Sequence, residues 1–149
     1  MTYGPMLAPV VALVAWTLVM QIWMYATRLP AMRRKGIVLK GRRGGRGGQL
    51  DGVLEDEVQW KAHNYNHLLE QPTLFYAIAI SLALLGGGAW QLNLVLAWAY
   101  VGLRVLHSLI QATANVVVWR FLVFNLASLV LLGLTLHAGM ILLHAHLHG

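Results

Sequence analysis

The chain contains no cysteine and only five acidic residues among 149. Without thiols it can form no disulfide, no thiolate metal site and no cysteine nucleophile, so any thiol chemistry must use a thiol carried by a substrate. Charge of either sign is scarce: 11% of residues are charged against 58% hydrophobic, and the mean hydropathy is +0.63. A soluble domain carries about a quarter charged residues, so water is not this chain's main solvent. Charge is also placed unevenly.

What the chain does have is long apolar runs. A membrane-crossing helix needs about 20 mostly apolar residues, which leaves room for four such helices and no separate soluble domain. The expected fold class is therefore all-α, an integral membrane four-helix bundle forming one domain over 1–149. The first helix should span about 5–27, opening at Pro5 and closing at the break Arg28-Leu29-Pro30. The second should span about 58–85, after the carboxylates Glu55, Asp56 and Glu57, which suit a helix N-terminus, and end at Gly86-Gly87-Gly88. The third and fourth should span about 90–114 and 116–146, joined by a turn so short that they form an antiparallel hairpin. A cleaved signal peptide is not expected, because the first apolar run lacks a basic leader and exceeds the usual 7–15 residues.

Nine of the 11 lysines and arginines sit in one stretch: Arg28, Arg33, Arg34, Lys35, Lys40, Arg42, Arg43, Arg46 and Lys61. That bias predicts a cytoplasmic loop over about 28–57, with both termini on the other side of the membrane. The same stretch can rest on anionic lipid head groups. It has no interleaved aromatics and adjoins membrane, so nucleic acid is not an expected partner. Its core, Gly41-Arg42-Arg43-Gly44-Gly45-Arg46-Gly47-Gly48, is too glycine-rich and self-repelling to fold alone and reads as a mobile loop.

Ionisable residues inside apolar spans are costly and mark candidate sites. Glu70, Arg104 and Arg120 qualify. At 1.5 Å per residue, Glu70 and Arg104 each lie about 15 Å from the basic end, level with one another. A buried Glu70–Arg104 ion pair that only fixes register is one reading, and snorkelling of Arg120 to the interface is another. The surrounding polar residues fall at helical steps: His63, Asn66, His67 and Glu70 on the second helix, and Arg104, His107, Ser108 and Gln111 on the third. His63 and His67 with a carboxylate could hold a metal but have too few partners, and His144, His146 and His148 lie at the opposite end; no metal site is expected. A pocket walled by arginines, histidines and amides suits a small anionic ligand, because arginine forks match carboxylates. Opening also toward acyl chains, it could set a polar cosubstrate against a lipophilic one.

Two stretches carry a resemblance: Lys61-Ala-His-Asn-Tyr-Asn-His-Leu-Leu-Glu-Gln-Pro-Thr-Leu-Phe-Tyr76, and Ala97-Trp-Ala-Tyr-Val-Gly-Leu-Arg-Val-Leu-His-Ser-Leu-Ile-Gln111 continuing to Arg120-Phe-Leu-Val-Phe124. Over about Trp60 to Leu136 the chain resembles the membrane-associated proteins in eicosanoid and glutathione metabolism, the MAPEG family, in its uncharacterised bacterial branch. The resemblance implies a four-helix protomer in a homotrimer, a bacterial inner-membrane location, and glutathione as cosubstrate bound between subunits on the cytoplasmic side. By position, Arg104, His107 and Arg120 match glutathione-contacting residues, and Lys61, Ala62 and His63 match an Arg-Ala-His stretch. The family's Arg-Asn-x-x-Glu falls on Asn64, Tyr65 and Leu68, with Asn66 and Glu70 substituting from a shifted register. The family's serine beside the last arginine is Phe121 here, and its tyrosine three residues on is Phe124; neither phenylalanine can donate a hydrogen bond.

The expected function is therefore membrane-embedded glutathione binding, leaning to a transferase- or peroxidase-like enzyme acting on lipophilic electrophiles. Arg120 would be the catalytic thiolate stabiliser, with Arg104, His107, Gln111, Glu70, Asn66, His63 and Lys61 holding the cosubstrate. The alternative is a non-catalytic lipid-binding or scaffold protein of the same fold. A small transporter is a third reading, although few charges line a path across the span.

Overall fold

The computed structural model describes residues 4–41 and 43–148; Arg42 of the basic stretch lies outside them. The chain is all-helical: α1 Gly4–Arg34, α2 Asp56–Leu68, α3 Gln71–Leu84, α4 Gln91–Ala112 and α5 Val117–His148, with two short 3-10 turns at Gly47–Leu50 and Gly87–Ala89. α2 and α3 together form one span, so among the described residues four helical segments are long and apolar enough to cross a membrane. α1 packs on α2, α3 and α4, while α5 packs on α4 and α3.

Each span buries a narrow stripe and leaves the rest apolar. On α1, Met6, Leu13, Met20 and Met24 are buried while Val11, Leu18 and Ile22 on the other faces are exposed. Helices solvated by lipid gain nothing from hydrophobicity alone, so close approach falls to small residues. Here those are Ala79, Ala83, Ala97, Ala127 and Ala138, all buried. Away from the basic end, Asn93 donates to the Gly87 carbonyl (2.8 Å) and His137 Nδ1 donates to Asn93 Oδ1 (2.8 Å), tying the α3–α4 turn to α5.

Three boundaries differ from expectation. α1 runs through Pro30 to Arg34; proline removes one donor but leaves the following turn free to continue when the helix end packs. It does pack, through Ala31 and Met32 against Leu54, Leu50, Val58 and Ile37. A second difference is that Gly47–Leu50 forms a 3-10 turn within the basic loop, whose flanks pack on α1 in that cluster. Arg28 Nη2 donates to the Gly47 carbonyl (2.6 Å), and Asp51 accepts from Gln59 (2.5 Å) and from His63 Nε2 (2.9 Å). A Cβ on Gly47 would sit 3.3 Å from Arg28 Nη1, so glycine permits this approach.

The third difference is the break in the second span at Leu69 and Glu70. Pro72 has no N–H, and its ring disfavours helical geometry just before it. Thr73 closes the new start, its backbone N–H (3.1 Å) and its hydroxyl (2.6 Å) both donating to the Glu70 carbonyl.

Candidate functional site

The site grows from that break. In an unbroken helix the His67 carbonyl would accept from the N–H four residues on. Interruption leaves it open to a side chain, and Arg104 Nη2 donates to it at 3.0 Å. Arg104 is 0% exposed and the largest fully buried side chain described. Its Nε and Nη1 have no hydrogen-bond partner, and no carboxylate lies within ion-pair distance among the described residues.

An aromatic hub covers the guanidinium. The Phe124 ring lies 5.7 Å from Arg104 Cζ, within cation–π range. Its centroid is 5.3 Å from that of His67 and 6.1 Å from that of His107, and the two imidazoles are 4.9 Å apart. Arg120 and Phe124 are four residues apart on α5 and so lie on one helix face.

α4 supplies the buried face. Asn93, Ala97, Tyr100, Arg104, His107, Ser108 and Gln111 recur at steps of three and four and are all buried. Ser108 accepts from Asn64 Nδ2 at 2.6 Å. Asn64 Oδ1 and Gln111 Oε1 are buried without a partner. A relay then joins three helices: Tyr100 donates to Gln71 Oε1 (3.3 Å), Gln71 to Ser128 (2.8 Å), and Ser128 to the Phe124 carbonyl (2.9 Å). This relay fixes the height at which Phe124 meets Arg104.

Arg120 lies at the edge, half-buried near the start of α5. Its Nη1 donates to Asn115 Oδ1, and its Nε is buried and unpartnered. Asn115 holds φ 51°, a left-handed conformation that asparagine tolerates better than most residues. Its N–H donates to the Ile110 carbonyl (2.7 Å), which makes the tight α4–α5 turn.

The remaining residues singled out from sequence lie elsewhere. Glu70 forms no ion pair with Arg104; it is exposed, and its carboxylate accepts from His67 Nδ1 at 2.8 Å. Asn66 is exposed. His63 turns to Asp51, and Lys61 donates to the Glu57 carbonyl (2.7 Å) and lies 5.7 Å over the Trp23 ring. The inward residues of this span are instead Asn64, His67 and Gln71. Sequence reading missed Asn64 and Gln71, along with Tyr100 and Ser128. Pro72 was the available signal, since it marks where the helix phase shifts.

Arg104 and Arg120 offer donors suited to carboxylates, while the free Asn64 and Gln111 oxygens suit ammonium or amide N–H groups. Arg120 is the more accessible of the two; Arg104 is covered by the protomer itself, with Phe124 beside its guanidinium and the His67 carbonyl accepting from it. Among known proteins, the family model described as "MAPEG family" matches residues 6–140. No curated protein and no solved structure gives a significant match.

Proposed function

The chain belongs to the MAPEG family, and from that premise we propose that this multi-pass membrane protein binds glutathione at the Arg104–Arg120 cluster and turns its thiol on lipophilic electrophiles. The observation that carries the reading is Arg104: a fully buried cation with two guanidinium nitrogens unpaired and, among the described residues, no carboxylate in ion-pair distance. An uncompensated buried charge costs several kcal/mol, roughly, and a fold retains one most readily where a ligand neutralises it. Glutathione carries two carboxylates for the arginines, and an ammonium and amides for the free oxygens.

Glutathione supplies the nucleophilic sulfur that a chain without cysteine lacks. The protein's own groups do the rest. Arg120, half-buried at the mouth, draws the anionic ligand in, and a cation beside a thiol favours its ionised form. Arg104, behind Phe124 in low dielectric, extends that positive potential inward. Phe124 and the exposed Phe121 make the mouth apolar, which suits a substrate arriving through the bilayer. We further propose a homotrimer, with the mouth at a subunit boundary, the basic loop in the cytoplasm of a bacterial cell, and both termini outside.

A specific observation favours a second reading, non-catalytic binding. Phe121 and Phe124 place no hydroxyl beside the arginines, so a thiolate would rest on Coulombic support alone. Calorimetric titration of detergent-purified protein with glutathione tests binding. Heat that saturates in the wild type and is lost in Arg104→Gln and Arg120→Gln supports the proposal; absence of binding at millimolar glutathione overturns it. Turnover with a lipophilic electrophile then separates enzyme from binder.

A further inference from the structure

A recess lies between the basic end of α1 and the Gly44–Val53 part of the loop, apart from the arginine cluster, with a volume of about 630 Å³. Arg28, Arg43 and Arg46 line it, together with Tyr25, Leu29 and Leu39, and no acidic side chain does among the described residues. The loop carboxylate Asp51 accepts from Gln59 and His63. Arg28 reaches in from α1, spends Nη2 on the Gly47 carbonyl, and keeps a buried Nε without a partner. Gly44 and Gly45 turn the chain back at φ 71° and 108°, a left-handed geometry natural to glycine, and so bring Arg43 and Arg46 to the same recess.

We propose that this recess holds the phosphate of an anionic phospholipid from the leaflet at the basic end of the bundle. Three features favour a lipid over a soluble anion. The volume lies in the range that holds a small organic ligand, well beyond what a bare phosphate fills. The apolar wall is open, with Tyr25 at 47%, Leu29 at 42% and Leu39 at 58% exposure. That wall continues along α1 into Ile22 and Leu18, exposed at 68% and 54%, which gives acyl chains a track from the headgroup into the bilayer. Tyr25 stands where span meets loop, the level at which aromatic side chains anchor to the interface. The loop is then a clasp whose arginines are folded onto a lipid, beyond the diffuse attraction of any basic segment. The inference stands independently of glutathione binding.

Native mass spectrometry of delipidated, detergent-purified full-length protein tests it. Dioleoyl phosphatidylglycerol and dioleoyl phosphatidylcholine are offered separately and retained lipid is counted per chain. The expected result is one retained phosphatidylglycerol per chain, with a preference over phosphatidylcholine of about tenfold that Arg43→Gln abolishes, as befits loss of a charged hydrogen bond. Arg28→Gln should do the same but also breaks the Gly47 bond, so Arg43→Gln keeps the result readable. The Arg34→Gln/Lys40→Gln double variant removes two charges outside the recess, one at the end of α1 and one in the loop, and should retain the preference. Equal retention of both lipids, or equal loss in the Arg34/Lys40 control, overturns the site. Displacement of the lipid by glycerol 3-phosphate at equal concentration would assign the recess to soluble phosphates and overturn the lipid.

Discussion

Arg104 sets the energetics of the site. Buried with no carboxylate in ion-pair distance among the described residues, it costs stability in the unliganded protein, and replacing such a cation by an apolar residue of similar length is often neutral or stabilising. Arg104→Met should therefore leave the thermal midpoint of the unliganded protein unchanged or raised while abolishing glutathione binding; a scan of intrinsic fluorescence with and without glutathione checks both. A residue serving only to hold register would behave the opposite way, its loss lowering the midpoint. Phe124 is the complementary case. It touches Arg104, His67 and His107, so Phe124→Tyr sets a hydroxyl among them, and the thiolate absorbance of bound glutathione should rise relative to wild type. No rise would mean that the sulfur does not lie near Phe124.

Helix breaks and turns carry the geometry at the scale of elements. Asn115 pairs with Arg120 through its side chain and holds the α4–α5 turn through a left-handed backbone. Asn115→Gly keeps the backbone and removes the pairing; Asn115→Ala also strains the turn, by about 1–2 kcal/mol. Thermal unfolding should rank wild type above Gly and Gly above Ala, whereas glutathione affinity should fall alike in both variants.

The loop gives a pH dependence. His63 first, and then Gln59, donate to Asp51 and hold its carboxyl below the ordinary value of 3.8. A lowered folded value means the stabilising contribution is present above 3.8 and is lost as the pH falls through the depressed value. Hydrogen exchange across 46–54 should thus be slow at pH 5 and speed up in acid below that value, and Asp51→Asn should flatten the profile.

The legibility of these elements in the sequence was uneven. The four spans follow from length and apolarity alone. The α4 face was legible because Arg104, His107, Ser108 and Gln111 are polar residues in an otherwise apolar helix, so one phase fits them. α2 is polar on several faces, with Gln59, Lys61, His63, Asn64, Asn66 and His67 in nine positions, so spacing could not choose the inward one. Of the chosen set, His63, Asn66 and Glu70 are exposed and only His67 turns inward. The packing of the loop's flanks was not legible, because Ile37, Leu50 and Leu54 are scattered among glycines and no local period reveals them.

At the scale of the whole molecule, a wide apolar surface remains on the protomer. Val117, Val118, Trp119 and Phe121 are 59–69% exposed beside Arg120. In a homotrimer part of that surface meets a second copy, which would close the mouth of the site and exclude water from it. Native mass spectra of the solubilised protein should show three chains, and saturating glutathione should stabilise the assembly by about 2.7 kcal/mol at a hundredfold excess over Kd. The most direct test of the central claim is the electron density of crystals grown with glutathione. The account predicts a glutathione carboxylate within hydrogen-bond reach of Arg104 or Arg120, with Phe124 displaced or stacked against the ligand. Density lodged elsewhere, with Phe124 still seated over an unliganded Arg104, would contradict it.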